Sequence, residues 1–430
     1  MSQSLRPNGY LPRVADKQLQ RLLGTLGAVE VTGPMWCGKT WTSLNVGRSL
    51  TRLQERAPRQ AAQADPNLAL LGEAPHVIDE WQRVPEVWDA VRDAVDENGG
   101  APGQYVLTGS WTPHDSEVYH SGAGRIGRLA LRSMTLSESG ESSASVSLAG
   151  LFEHQFKPVL VQQGLMPLAH AICRGGWPAL VKNETEDSAE LLQTYFDAIY
   201  NVTIPHMGLD PIRAQRVMQG LARNDGASTS IATIAQDAGL DGLGRESARK
   251  VAERYVNALR LLFLVCDVPG WDAPIRSKSR LRDKPKRYLT DPSLTASLLG
   301  VTPERLAQDG ETFGLLFESL CMRDLAVYAA ALPYAAGVPV RYYRDSDGLE
   351  VDAIIELRDG RWAALEIKLG ENKVPDAARS LTRLERKVAN NPAARNPSPE
   401  FKAVVVGAGA YARYDKDLDV YIIPITSLGA

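Results

Sequence analysis

The sequence predicts an α/β protein with α/β layers at both ends and a helical middle. Three observations predict it. Residues 27–40 read as a short strand, a glycine-rich loop and a helix start. Residues 150–300 carry mostly helical patterning. Residues 311–430 read as a long helix followed by the apolar runs GLEVDAII, WAALEIKL, FKAVVVG and VYIIPI. At 430 residues the chain has room for roughly three domains of about 150 residues each. The polar run LSESGESSAS (136–145) marks a loop between the first two. The expected division is 1–145, 146–300 and 301–430.

The composition excludes several classes. With 44% hydrophobic and 23% charged residues the chain is neither disordered nor collagen-like. Its 51 acidic and 48 basic residues leave a formal charge of −3, so any nucleic-acid partner must be met by a local patch. Cys37, Cys173, Cys266 and Cys321 are far apart and form no C-x-x-C pair. That argues against a zinc site or a disulfide framework and for a reducing compartment. The start, MSQSLRPNGYLPR, has no apolar core, so no signal peptide is expected there. The most apolar stretch, LRLLFLV (259–265), is far below the ~20 residues a membrane span needs. The expectation is a cytoplasmic protein with no membrane partner.

The amino-terminal third carries the sharpest motif. Ala28–Thr32 is a β-type run leading into Gly33, Pro34, Met35, Trp36, Cys37, Gly38, Lys39 and Thr40, a complete GxxxxGKT phosphate loop. Its glycines let backbone N–H groups curl round phosphate oxygens. Lys39 supplies a compact positive charge for the β and γ phosphates, and Thr40 offers a hydroxyl to magnesium. The expected ligands are ATP and Mg2+. In PHVIDEWQ an apolar run ends in Asp79 and Glu80. Asp79 is placed to hold magnesium through water, and Glu80 to polarise the attacking water. A third strand, GQYVLTGS, ends in Thr108-Gly109-Ser110. Ser110 is the first choice for a γ-phosphate sensor and Thr108 the second.

In the middle, TSIATIAQDAGL (229–240) reads as a helix stopped by glycine. A second helix follows in ESARKVAERYVNALRLLFLV, with Ala248, Val251, Tyr255, Leu259 and Leu262 on one face. Arg245, Arg249 and Arg260 fall on its flank. Two helices joined by a glycine-bearing turn suggest a helix-turn-helix, and flanking strands a wing. Arg276, Lys278, Arg280, Arg282, Lys284, Lys286 and Arg287 form the densest basic stretch. As the tip of that wing they would follow the phosphate backbone of DNA.

Near the carboxyl end, GETFGLLFESLCMRDLAVYA (310–329) is a helix with Leu316, Leu320 and Leu325 inward and Glu318 near its centre. DGLEVDAIIEL and RWAALEIKLG read as a hairpin turning at Asp359-Gly360. Glu366 and Lys368 are two apart and share a strand face. Asp352, Glu366 and Lys368 form a D…E-x-K pattern, in which two carboxylates hold magnesium and a lysine orients or deprotonates water.

Taken in order, GPMWCGKT, VIDEWQRVPEVWDAVRDAVD, YVLTGS, RYLTDPSLTASLLG, GLLFESLCMRDLAVYA and EVDAIIE…WAALEIKLG resemble a family of prokaryotic AAA-type ATPases. Its members carry a carboxyl-terminal restriction-endonuclease-like domain (domain of unknown function 4143). The resemblance runs nearly the full chain. It implies an AAA-type ATPase domain, a winged helix between the two ends, and a nuclease-like domain. It also implies an auxiliary acid at Glu318 for the metal set of Asp352 and Glu366. AGRIGRLALRSMTLSE (123–138) follows the sensor strand in that family, and Arg125 or Arg128 is the candidate arginine finger. ICRGGWPAL (172–180) matches a recurrent motif with no chemical role evident beyond a tight turn. Relatives often form rings, so a homo-oligomer is an expectation. Two functions follow: an ATPase coupled to a metal-dependent nuclease acting on DNA, or a non-catalytic ATP-dependent DNA-binding or signalling switch.

Overall fold

The structure is a computed structural model. It describes residues 5–111, 122–161, 164–183, 188–240, 242, 244–274 and 284–430. The backbone compacts into two units. The first is Met1–Ser133 with Leu261–Leu264, and the second is Met134–Arg260 with Val265–Ala430. Apart from Leu261–Leu264, residues 146–300 fall with 301–430 in the second unit.

The first unit is built on five parallel strands: β1 (Ala28–Thr32), β2 (Ser49–Arg52), β3 (His76–Asp79), β4 (Tyr105–Gly109) and β5 (Ile126–Ala130). Their order is β2-β3-β4-β1-β5. Helices α1 (Ala15–Leu23), α2 (Lys39–Leu44), α3 (Arg56–Ala64) and α4 (Val87–Glu97) surround the sheet. Val87, Trp88, Val91 and Val95 recur at helical spacing and bury α4 against Ala28, Ile78 and Leu107 on one sheet face. Val29, Val31, Val77 and Val106 face the other way and pack with Leu19 and Leu23 of α1. Both faces are covered, and the central strands β1, β3 and β4 are buried over nearly their whole length. The carboxyl-terminal ends of β1, β3 and β4 stand side by side, with Asp79 in register with Thr108 and Thr32 with Gly109. That edge is where such sheets gather their ligand-binding residues.

The second unit adds β6 (Val146–Ser147), β7 (Val159–Leu160), β8 (Val265–Val268), β9 (Lys286–Leu289), β10 (Arg341–Arg344), β11 (Glu350–Glu356), β12 (Trp362–Gly370), β13 (Phe401–Ala408), β14 (Tyr411–Asp415), β15 (Val420–Pro424) and β16 (Leu428–Gly429). Seven of them form a mixed sheet in the order β10-β11-β12-β13-β15-β14-β7. β11 and β12 are the antiparallel hairpin predicted at Asp359-Gly360, and β12 and β13 run parallel. The crossover between those two is the Val374–Ala389 helix. Its Val374, Ala377, Ala378, Leu381, Leu384 and Val388 pack on Val351, Ala364, Val404 and Val406. The Gly310–Ala331 helix lies against β12, with Leu316, Leu320 and Leu325 fully buried as predicted.

The middle of this unit contains helices Pro211–Arg223, Ile231–Asp237 and Arg245–Leu261, followed by the antiparallel pair β8–β9. Val251 is only partly buried, and Ala252 and Val256 take its place on the inward face. The glycine pair of ICRGGWPAL is explained by close packing. Gly175 has φ 76°, in the left-handed region. A Cβ on Gly176 would stand 2.0 Å from the Met134 carbonyl oxygen. The Gly176 N–H donates to Asp291, and the Trp177 indole donates to Ser293. Asp291 in turn pairs with the buried Arg323, which also binds Asp324. All four cysteines are free thiols. Among the described residues no helix is long and apolar enough to cross a membrane.

Candidate nucleotide site and carboxylate cluster

The phosphate loop follows β1, and its two glycines meet backbone demands. Gly33 has φ 151°, and a Cβ there would stand 2.1 Å from the Leu131 carbonyl oxygen. Gly38 is left-handed, with φ 98°, immediately before α2. Lys39 is buried, and its Nζ donates to the Gly33 and Pro34 carbonyls at 2.9 and 2.8 Å. The ammonium is thus held over the loop it would share with phosphate. Met35 is partly buried and Cys37 is buried, while Trp36 is 40% exposed at φ 66°. α2 has only six residues, so the loop and first-turn N–H groups, not a long macrodipole, supply the positive end.

Thr40, Asp79 and Thr108 form a chain. The hydroxyls of Thr40 and Thr108 both donate to Asp79 Oδ1, at 2.7 and 2.6 Å. Thr108 Oγ1 also accepts the Glu80 N–H at 3.2 Å. Glu80 itself is left-handed (φ 58°, ψ 47°), a conformation that costs a non-glycine residue about 1–2 kcal/mol. The turn brings its carboxylate to Ser110, whose hydroxyl donates to Glu80 Oε2 at 3.0 Å. Gln82 donates to the same oxygen. The three sequence motifs therefore meet at one sheet edge. Ser110 touches Glu80, and Thr108 touches Asp79. Strand register alone carried that second signal.

Several residues at this unit were not anticipated. Arg13 is buried and donates to the Cys37 carbonyl at 2.8 Å and to the Arg132 carbonyl at 2.7 Å. It ties the phosphate loop to the residues after β5. Glu30 is buried in the middle of β1, where Trp81 Nε1 donates to it at 3.2 Å and Arg128 pairs with it at 2.9 Å. Burial raises the Glu30 pKa above the ordinary carboxylate range, and Arg128 and Trp81 oppose that rise. Arg128 also lies over the Trp88 ring. Arg125, one of the two candidate arginine fingers, lies away from the phosphate loop of its own chain. Its carbonyl accepts the Ala28 N–H, at the amino-terminal edge of the sheet, and its guanidinium pairs with Asp96. The five residues of β1 separate that edge from the phosphate loop, about 16 Å at strand rise.

In the second unit, the two strands bring the D…E-x-K residues together. Lys368 Nζ lies 3.0 Å from Asp352 and 2.6 Å from Glu366. Asp352 Oδ2 also accepts the Ile367 N–H at 2.9 Å. This face is not solvated: Asp352 and Glu366 are both buried. Burial first, then the neighbouring Asp352 charge, pushes the Glu366 carboxyl up to about 8, and Lys368 offsets only part of this. Burial would raise Asp352 as well, but Lys368, Lys286 and the Ile367 amide outweigh it and its pKa falls.

Glu318 and Lys286 enter the same cluster. Lys286 Nζ is 3.1 Å from Glu318, 2.8 Å from Glu350 and 3.7 Å from Asp352. The Tyr288 hydroxyl donates to Glu318 at 2.7 Å. Burial alone would pull the Lys286 pKa down, yet the three carboxylates outweigh it and the net shift is upward. Among the described residues, no group of three or more His, Cys, Asp or Glu side chains is gathered as a metal-ligand set.

The basic stretch is corrected in part. Lys286 and Arg287 lie on β9 and are buried, not at a solvent-facing tip. Arg287 binds the Thr229 carbonyl and Asp267. Lys284 is exposed, and Arg276, Lys278, Arg280 and Arg282 lie outside the described residues. Two of the three flank arginines are also engaged: Arg249 pairs with Glu246 and Glu253, and Arg260 with Asp267.

Residues 27–140 match the family described as AAA domain. Residues 167–305 and 313–428 match two domains of unknown function, DUF8612 and DUF4143. The chain is 28% identical over 377 residues to the uncharacterized protein Rv2008c of Mycobacterium tuberculosis, covering 86% of this chain and 76% of that one. The same figures hold for the uncharacterized protein Mb2031c of Mycobacterium bovis. Among solved structures, the Walker-type ATPase PABY2304 of Pyrococcus abyssi is 12% identical, covering 69% of this chain and 98% of that one, with a TM-score of 0.42. The RuvB Holliday junction branch migration motor of Thermotoga maritima is 17% identical, covering 70% and 99%, with a TM-score of 0.30. The parallel sheet, the phosphate loop and the family match together give the amino-terminal unit a P-loop, AAA-type ATPase-like fold, an architecture that binds nucleotide.

Proposed function

We propose that the chain binds ATP with Mg2+ at the β1–β3–β4 edge and hydrolyses it. The observation that carries this reading is the Thr40–Asp79–Thr108 chain beside Glu80 and Ser110. The donor set fits magnesium: a hydroxyl and a carboxylate, both hard oxygen ligands, stand side by side next to a buried lysine. Bound there, the ion would neutralise phosphate charge. The chain's own residues do the rest. Lys39 and the loop amides bind the phosphates, and Glu80, fixed by Ser110, takes the proton of the attacking water. Phosphate release by the full chain tests the reading. Lys39→Ala is expected to lose nucleotide binding, and Glu80→Gln to bind but not turn over. Absence of turnover in the wild-type chain, with and without DNA, overturns it.

For the second unit there are two readings. One is a magnesium-dependent nuclease that cleaves DNA through Asp352, Glu366 and Lys368. Its support is the gathering of those three on β11 and β12. The other is a non-catalytic, ATP-dependent switch on a nuclease-like scaffold. The Lys286 ammonium among Glu318, Glu350 and Asp352 favours the second. The three helices followed by β8–β9 support a winged-helix reading of the middle. A DNA contact there rests on Lys284 and on the sequence of residues 276–282.

A further inference from the structure

A divalent ion in a D…E-x-K constellation needs carboxylate oxygens free to approach it to about 2.0–2.1 Å. Here at least one oxygen of each carboxylate is already paired within the chain. Glu318 receives Lys286 and Tyr288, Glu350 receives Lys286, and Asp352 receives the Ile367 amide and Lys368. Glu366 receives Lys368. Lys286 is only 4% exposed, and it also lies over the Tyr342 ring at 5.7 Å. Three carboxylates and a ring face are the surroundings of a built cation site, and the cation in it belongs to the chain. The residues therefore do not fit the metal set expected from Asp352, Glu366 and Glu318.

We propose that Lys286 is the resident cation of this cluster, standing where a divalent metal would otherwise be held. The proposal rests on the switch reading of the second unit and is independent of the P-loop. A buried carboxylate cluster must be neutralised, because isolated buried charges are costly. Two ammoniums, Lys286 and Lys368, face the four carboxylates Glu318, Glu350, Asp352 and Glu366. Because Lys286 comes from β9, its pairing also joins the β8–β9 hairpin to β11 and the Gly310–Ala331 helix. The cluster is then an ionic lock between segments distant in sequence. Replacing Lys286 by a neutral side chain of similar length would leave Lys368 to face the four carboxylates and create a site for a divalent ion.

The test is Mn2+ binding to the nucleotide-free full chain, followed by electron paramagnetic resonance of free Mn2+. Wild type and Asp352→Asn are expected to bind equally weakly. Lys286→Met is expected to gain a site, tightening binding by about tenfold or more, and Lys286→Met with Asp352→Asn to lose it again. Wild-type binding that Asp352→Asn weakens overturns the proposal, and that arm needs no change at Lys286. A folded Lys286→Met that gains no Mn2+ also overturns it. DNA cleavage is read separately. Cleavage by the wild type that Asp352→Asn abolishes overturns both the switch reading and the resident cation. Wild-type Mn2+ binding lost in Asp352→Asn, without cleavage, overturns the cation alone.

Discussion

The Thr40 hydroxyl donates to Asp79 Oδ1 at 2.7 Å, so the end of the phosphate loop and the end of β3 are joined before any ligand arrives. The two oxygens are those proposed to meet Mg2+, and their spacing fixes what their loss would do. Thr40→Ala and Asp79→Asn are each expected to weaken Mg-ATP binding by about ten- to hundredfold, the range seen when metal-orienting partners are removed. Binding of ATP in excess chelator should change far less. Quenching of Trp36, exposed on the loop, by a fluorescent nucleotide analogue measures both.

Ser110 and Glu80 separate binding from turnover. The Ser110 hydroxyl holds one Glu80 oxygen, and Gln82 holds the same oxygen. Ser110→Ala should lower kcat by about tenfold or more while KM for ATP stays within a few-fold, because the base is misplaced and not removed. Glu80→Gln should lower kcat by about 10²–10⁴. Steady-state phosphate release on both variants checks the order. Equal losses in the two would assign Ser110 a direct role.

Arg13 acts on the loop from behind. Its two nitrogens reach the Cys37 and Arg132 carbonyls, a fork that one ammonium does not reproduce. Arg13→Lys and Arg13→Ala are expected to raise the ATP dissociation constant by about tenfold or more, about 1.4 kcal/mol, with kcat less affected. Titration calorimetry against circular dichroism distinguishes this from unfolding.

The contrast between these residues shows what the sequence made legible. Gly33–Thr40, Asp79 and Glu80 were readable because their chemistry is local: a strand, then residues that must follow it. Asp352, Glu366 and Lys368 were readable as a pattern, with two on one strand face, and Glu318 through the family resemblance. Arg13 and Glu30 were not, because each acts through partners 24 to 119 residues away, and Thr108 was read as a sensor candidate without its bond to Asp79. Lys286 and Arg287 were misread for the same reason. Charge density suggested a solvated tip, but their strand carries them to Glu318, Glu350, Asp352 and Asp267, which no local pattern reveals. The antiparallel additions β14 and β7 were also missed, since β7 is two residues long and shows no period.

Arg323 tests how much the second unit depends on a buried ion network. It is buried with Asp291 and Asp324, and Asp324 also accepts the Leu136 N–H. Removing the cation leaves two buried acids without it. Arg323→Ala should cost about 3–5 kcal/mol in urea unfolding, the range for breaking a buried pair. Gly176→Ala, whose Cβ would collide with the Met134 carbonyl, should destabilise the same unit.

Asp225 gives the second unit a pH dependence with a definite sign. It is buried, and burial pushes its pKa up to about 7, against the Leu289 amide and the hydroxyls of Thr295 and Ser319. The Glu318 charge adds to the rise. The folded state therefore holds a proton that the unfolded chain, with a carboxyl near about 3.9, has released. Between those two values the native state binds more protons, so stability falls as pH rises, by up to about 1.4 kcal/mol per pH unit for this group. Below the unfolded value its contribution is fully present, and above about 7 the loss is complete. Asp225→Asn cannot titrate and keeps the hydrogen-bonding shape. Its unfolding free energy should fall less steeply than that of the wild type from about pH 4 to 7. Urea denaturation of both proteins across that interval measures the difference in slope, and parallel curves would place the titration elsewhere.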